Sequence, residues 1–155
     1  MGSDSPEKGP YVAPRVRSLS PEEKLASPST KTRPTLILAE DHPEVAEYFA
    51  GILKEHFDIV AVVADGDTLV ELVTQWKPNA IVSDVGLKGL NGIAATIKIR
   101  EHDPDVPIVL MTASPDPDLR IAGLTAGASA FLSKSESAHK LVALLRHLLE
   151  RANPR

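Results

Sequence analysis

From Thr35 onward the chain alternates short apolar runs with amphipathic segments. The runs are Thr35–Ala39, Ile59–Val63, Ala80–Ser83, Val106–Met111 and Ala128–Leu132, four to six residues each and mostly apolar at both odd and even positions. A strand with one wet face would alternate, so unbroken apolar runs of this length predict parallel strands covered on both sides. Between the runs the period becomes helical. Val45, Tyr48, Phe49, Ile52 and Leu53 fall at i, i+3, i+4, i+7 and i+8, and Leu69, Leu72, Val73 and Trp76 repeat the spacing. Ile93 with Ile97 marks a third helix, Leu119, Ala122 and Leu124 a short fourth, and Leu141, Val142, Leu144, Leu145, Leu148 and Leu149 a last helix with a broad apolar stripe. Trp76 and that stripe are expected in the core. Proline and glycine mark the junctions at Pro43, Pro78 and Gly127. Five strands alternating with five helices predict an α/β domain: an open parallel sheet with right-handed crossovers and helices on both faces. In such a sheet the ligand site lies beyond the carboxyl ends of the strands, where the strand order reverses.

The first 34 residues lack both periods. They hold six of the 13 prolines and six serines. Such a stretch cannot bury enough apolar surface to offset its ordering entropy, so residues 1–34 are expected to be a disordered leader and residues 35–152 the folded domain. Ser20-Pro21-Glu22-Glu23 carries the pattern of a helix start, which places a short helix over Ser20–Ala26 as the one local alternative. Charge divides the same way. The leader has six Lys/Arg against four Asp/Glu (+2), leaving 11 against 17 (−6) for the rest, within a net charge of −4 over 155 residues.

Composition narrows the function. Cysteine is absent, which excludes a disulfide scaffold, a thiolate zinc site and a cysteine nucleophile. The longest apolar run, Ile59–Ala64, is far short of the ~20 residues that cross a bilayer, and no signal peptide opens the chain. A cytoplasmic protein with no membrane contact is expected. The acidic balance argues against direct nucleic-acid contact by phosphate neutralisation.

The chemistry gathers at the strand ends. The first strand runs into Glu40-Asp41, the third into Asp84, the fourth into Thr112 and the fifth into Lys134. Topology thus directs three carboxylates, a hydroxyl and an ammonium toward one cleft. Crowded carboxylates raise one another's pKa unless a cation compensates. The set suits a hard divalent ion with oxygen ligands, Mg²⁺ before Ca²⁺, because Mg²⁺ is commonly held by one or two carboxylates with waters and phosphate oxygens. Singly, each residue has a plainer explanation: a helix cap for Glu40-Asp41, a turn for Asp84, a solvated side chain for Lys134. Jointly, in this order, they point to a site. His42 is expected to face solvent rather than bind metal.

The segments Leu38-Ala39-Glu40-Asp41-His42-Pro43, Ser83-Asp84-Val85, Met111-Thr112-Ala113, Gly127-Ala128 and Phe131-Leu132-Ser133-Lys134 resemble the receiver domain of bacterial two-component response regulators. The resemblance covers Thr35 to about Leu149. It implies the flavodoxin-like strand order 2-1-3-4-5. It also implies a phosphorylation-switched signalling domain in which Asp84 accepts a phosphoryl group from a histidine kinase, a phosphotransfer protein or a small phosphodonor. Asp41, Asp84 and the carbonyl of Gly86 would ligate Mg²⁺, with Glu40 acting through water and Lys134 neutralising charge on the transferring group. Thr112 would bond the phosphate once formed, and Phe131 would be the aromatic that rotates inward with it. The domain would promote its own phosphorylation and dephosphorylation without being an enzyme on other substrates.

The chain departs from the family pattern at Lys88 and Ser135, where proline is usual. Small residues, Gly86 and Ser114, stand on the route of attacking water, and Pro115 and Pro117 stiffen the loop after Thr112. Two enzyme readings fail. No glycine-rich turn follows the first strand to approach a dinucleotide, and Gly86 stands where an aspartyl phosphatase would carry a second aspartate. A degenerate receiver serving only as a binding module is the alternative. No effector follows the last helix, so a stand-alone receiver or one excised from a longer regulator is expected. The run Asp84–Ile93 and the Lys134-Ser135 ending resemble receivers of DNA-binding regulators, which implies dimerisation through the fourth and fifth helices and the fifth strand.

Overall fold

The computed structural model describes residues 33–114 and 116–152. The leader's Ser20–Ala26 pattern lies outside the described residues. Five strands and five helices alternate: β1 (Thr35–Ala39), α1 (Pro43–Leu53), β2 (Asp58–Val63), α2 (Gly66–Trp76), β3 (Ala80–Asp84), α3 (Gly92–His102), β4 (Ile108–Thr112), α4 (Pro117–Ala126), β5 (Ala130–Ser133) and α5 (Ala138–Ala152). The sheet is parallel with order β2-β1-β3-β4-β5. From β2 to β5 the chain steps in one direction, so right-handed crossovers put α2, α3 and α4 on one face. The step from β1 to β2 runs the other way and puts α1 on the opposite face.

Two cores result. Ile37, Ala39, Ile81, Ile108 and Leu110 point to the side of α2, α3 and α4, where Leu69, Leu72, Ala95 and Ile99 meet them. Leu36, Leu38, Val82, Val109 and Met111 point the other way, against Phe49 and Leu53 of α1 and Leu141, Val142 and Leu145 of α5. Burial on both sides is why the strands show no alternation. Among the described residues, no helix is long and apolar enough to cross a membrane.

Helix ends follow local hydrogen bonds. Asp65 caps α2 by accepting from Thr68 N, Asn91 caps α3 from Ala94 N, and Asp116 caps α4 from Asp118 N, each satisfying a donor the helix leaves open. The same bonds move two strand starts away from the sequence expectation. Val106 belongs to a turn, because Asp103 Oδ1 accepts from both Asp105 N and Val106 N, and β4 begins at Ile108. Ala128 belongs to the cap of α4: Gly127 is left-handed (φ 117°) and Ala128 N donates to Gly123 O, so β5 begins at Ala130.

Several apolar expectations are corrected: Tyr48 and Ile97, in phase on α1 and α3, are 59% and 48% exposed. Trp76 is not core. It is 44% exposed at the last residue of α2, immediately before Lys77 turns left-handed (φ 48°). Leu124 is exposed as well, and the residue that α4 buries is Gly123. The stripe of α5 is core as expected for Leu141, Val142 and Leu145, with Leu144, Leu148 and Leu149 half-buried beside them.

Candidate functional site

The reversal of strand order falls between β1 and β3, and the chain continues from their carboxyl ends as Glu40-Asp41 and as Asp84. Glu40 is held by its backbone, whose N–H donates to Val63 O at 2.8 Å, and is buried. Asp84 ends β3 and is 8% exposed. The backbone around it is fixed by three hydrogen bonds: Ser83 Oγ donates to the Asp84 carbonyl at 2.9 Å, Val85 N donates to Met111 O, and Gly92 N donates to Val85 O. Gly92 is required here for space, since a Cβ would stand 2.3 Å from the Asp84 carbonyl oxygen. The start of α3 therefore fixes where the Asp84 side chain emerges.

Lys134 joins the two carboxylates. Its backbone N–H extends the β4–β5 ladder to Thr112 O at 2.8 Å, and its Nζ lies 2.7 Å from Glu40 Oε1 and 3.1 Å from Asp84 Oδ1. Burial works to lower the pKa of this ammonium, but its bonds to Glu40 and Asp84 and their charges outweigh that effect and leave it above its ordinary value. A lysine pKa raised by folding contributes stability that is complete below the unfolded value, about 10.4, and is lost as pH rises through the folded value. Urea denaturation is therefore expected to show a constant stability gap between wild type and Lys134→Met at neutral and mildly alkaline pH. The gap should narrow above the lysine's unfolded value, and a gap that narrows already near neutrality contradicts the assignment.

Asp41 and His42 complete the other side. Ligand atoms of Glu40, Asp41 and His42 lie within 4.8 Å of one another. His42 faces solvent, as expected, with its side chain 71% exposed. Its ring nonetheless turns back: Nδ1 is 3.2 Å from Glu40 Oε2 in hydrogen-bond geometry and 3.1 Å from Asp41 Oδ1 without it. This approach was missed in the sequence, and the available signal was adjacency, because His42 is the extended N-cap residue of α1 (φ −95°, ψ 113°) directly after both acids. The N-cap residue His42 makes no side-chain cap, but the acidic pair does take part in the helix start, because Glu40 Oε2 accepts from His42 N at 3.2 Å.

Two other expected residues stand close. Gly86 flanks Asp84, and a Cβ there would lie 3.6 Å from Asp84 Oδ2. Thr112 is buried at the end of β4, with its Oγ1 accepting from Ser114 N at 3.0 Å, which leaves its hydroxyl proton free to donate. Phe131 is not part of the nest. It lies two residues before Ser133 on β5, buried against α4. The peptide bond from Lys134 to Ser135 is trans.

The residues fit a divalent cation. Glu40 and Asp84 flank the Lys134 ammonium, while Asp41 sits in the close cluster with Glu40 and His42, of which Asp84 is not part, so three carboxylates against one ammonium leave a local excess of negative charge. Asp41 Oδ1 is buried without a hydrogen bond among the described residues. An orphaned carboxylate oxygen in an anionic pocket costs free energy that an oxygen-seeking ion would remove.

A family model described as the response regulator receiver domain matches residues 36–146. Among curated relatives, the transcriptional regulatory protein PrrA of Mycobacterium tuberculosis is 34% identical over 121 residues, covering 77% of this chain and 52% of the relative. The chain spans about half the length of the curated relatives it matches. Among solved structures, the beryllofluoride-activated N-terminal receiver domain of RstA from Klebsiella pneumoniae is 32% identical with a TM-score of 0.70, over 74% of this chain and 97% of that one. The receiver domain of the sensor histidine kinase PA1611 from Pseudomonas aeruginosa, with magnesium coordinated in its active-site cleft, is 27% identical with a TM-score of 0.71, over 76% of this chain and 98% of that one.

Proposed function

The chain belongs to the response regulator receiver domain family of two-component systems, and on that premise we propose that it is a phosphorylation switch whose acceptor is Asp84. The observation that carries the reading is Lys134 Nζ spanning Glu40 Oε1 and Asp84 Oδ1 at 2.7 and 3.1 Å. That contact puts a fixed positive charge beside the carboxylate that ends β3.

An Asp84 carboxylate oxygen attacks phosphorus, the bond from phosphorus to the donor's nitrogen or oxygen breaks, and the electron pair leaves with the donor. The product is an acyl phosphate on Asp84. Lys134 shifts from neutralising the carboxylate to bonding the phosphoryl oxygens, and Thr112 donates its hydroxyl proton to another of them. Asp41, Asp84 and the Gly86 carbonyl would hold Mg²⁺, with Glu40 acting through water. The ion when bound supplies charge neutralisation of the transferring group. Return to the resting state is hydrolysis of the acyl phosphate, with Gly86 and Ser114 leaving water a path. The domain acts on no substrate beyond itself.

The donor is a histidine kinase or phosphotransfer protein of the cytoplasm, with no membrane or nucleic-acid contact by this domain. The folded unit is residues 35–152, preceded by the leader of residues 1–34. Phosphorylation shifts a face of α4, β5 and α5 toward self-association, a reading supported by the exposure of Ile121 (62%) and Leu124 on α4. Light scattering with Mg²⁺ and beryllofluoride, which mimics the acyl phosphate, tests it. The mass is expected to rise from monomer toward dimer with wild type and to stay unchanged with Asp84→Asn. An equal rise in both contradicts the switch.

A further inference from the structure

We propose that Gly123 is a positioning residue: it is the seat that holds the Phe131 ring inward against the sheet and couples that ring to α4. The proposal rests on the reading of the domain as a phosphorylation switch; Phe131, expected to rotate inward on phosphorylation, is already buried here, and the proposal names what on this chain holds it in that place. Gly123 sits in mid-helix with an ordinary helical backbone. The positive φ values belong to Gly89, Gly127 and Lys77, so no unusual conformation calls for glycine here. Helix propensity argues against it, because glycine is the poorest helix former after proline. Space calls for it. A Cβ at position 123 would lie 2.8 Å from Cδ2 and 2.9 Å from Cε2 of the Phe131 ring, and 3.0 Å from Cδ1 of Leu110. Leu110 and Phe131 are themselves paired across β4 and β5, so ring, leucine and helix backbone close on one another without a gap.

The same helix grips the same residue a second time. Arg120 Nη1 donates to the Phe131 carbonyl at 3.0 Å, one helical turn before Gly123. Gly123 is the buried residue of α4, with Ile121 and Leu124 turned outward. Thus α4 rests on the sheet through Phe131, above and below its own glycine, and the ring is 8% exposed. An outward ring would leave α4 facing a void beside Leu110. The helix and the ring therefore move as one body, and any side chain at position 123 displaces the ring, whose edge is the yielding partner, rather than the strand.

The chain carries three phenylalanines, Phe49, Phe57 and Phe131, so fluorophenylalanine labelling gives three ¹⁹F resonances, and Phe131→Leu assigns the third. With a soluble gadolinium chelate, the wild-type Phe131 resonance is expected to be as protected as those of Phe49 and Phe57. In Gly123→Ala it is expected to shift and to broaden several-fold more than the other two, which remain unchanged and report an intact fold. A protected, unshifted Phe131 resonance in Gly123→Ala overturns the proposal. Should Gly123→Ala fold poorly, Gly123→Ala with Phe131→Leu is expected to recover most of the lost melting temperature, and no recovery overturns it equally. Phosphoryl uptake from acetyl phosphate separates the two readings. Uptake equal to wild type in Gly123→Ala, with the beryllofluoride-driven rise in mass lost, supports the seat. Absence of uptake in wild type removes the switch reading while the ring measurement still decides the seat.

Discussion

Asp84→Asn is expected to reduce phosphoryl uptake from acetyl phosphate to background while leaving the domain at least as stable. The amide keeps the shape of the carboxylate but is neither anionic nor nucleophilic, so no acyl phosphate forms. The stability prediction comes from charge. Glu40 and Asp84 flank one ammonium, with Asp41 beside Glu40, and Glu40 is 5% and Asp84 8% exposed. Removing one of three negative charges relieves repulsion and leaves Lys134 paired to Glu40 at 2.7 Å. Thermal melting without divalent ions should give a transition for Asp84→Asn equal to or above that of wild type, as expected where a site is strained for its chemistry. A clear loss of melting temperature in the variant indicates instead that Asp84 is a structural ion-pair partner.

Lys134→Ala is expected to have the opposite signature, losing both activity and stability. Deleting a preorganised donor aimed at developing negative charge typically costs about 10²–10³-fold in rate, and phosphoryl uptake should fall by that factor. The fold loses as well, because Glu40 and Asp84 are left buried with like charge and no partner. Breaking a buried pair by removing one member costs about 3–5 kcal/mol, and the 16% exposure of the lysine side chain places this site near the lower end. Mg²⁺ should restore part of the melting temperature but not the uptake rate, since an ion in the nest replaces the missing charge without replacing the donor. Full uptake in Lys134→Ala would assign the charge neutralisation to another group.

What the sequence made legible divides along physical lines. Strands buried on both faces announce themselves as short apolar runs, so the existence of β1 to β5 and the strand-end location of Glu40, Asp41, Asp84, Thr112 and Lys134 could be read directly, whereas the order of the strands in the sheet came from the family resemblance. Register could not. The starts of β4 and β5 depend on Asp103 receiving two backbone N–H groups and on Gly127 closing α4, and neither hydrogen bond leaves a trace in hydrophobic periodicity. Periodicity also misplaced Trp76, which is in phase with its helix but stands exposed at its last residue. At the site, residue types gave the charge excess, but not the return of His42 onto its two acidic neighbours, nor the orphaned oxygen of Asp41. Gly123 was silent because a missing side chain has no pattern, and its role exists only in the 2.8 Å approach to Phe131.

The proposed switch depends on one acidic, cation-binding cleft assembled around one nucleophilic carboxylate. Mapping the phosphoryl group tests it most directly: wild-type protein is incubated with acetyl phosphate, with and without Mg²⁺, then trapped with borohydride and sequenced by tandem mass spectrometry. Reductive labelling is expected at Asp84 alone, formed only when Mg²⁺ is present. Label at Glu40 or Asp41, or equal label at Asp84 after the ion is removed, would contradict it.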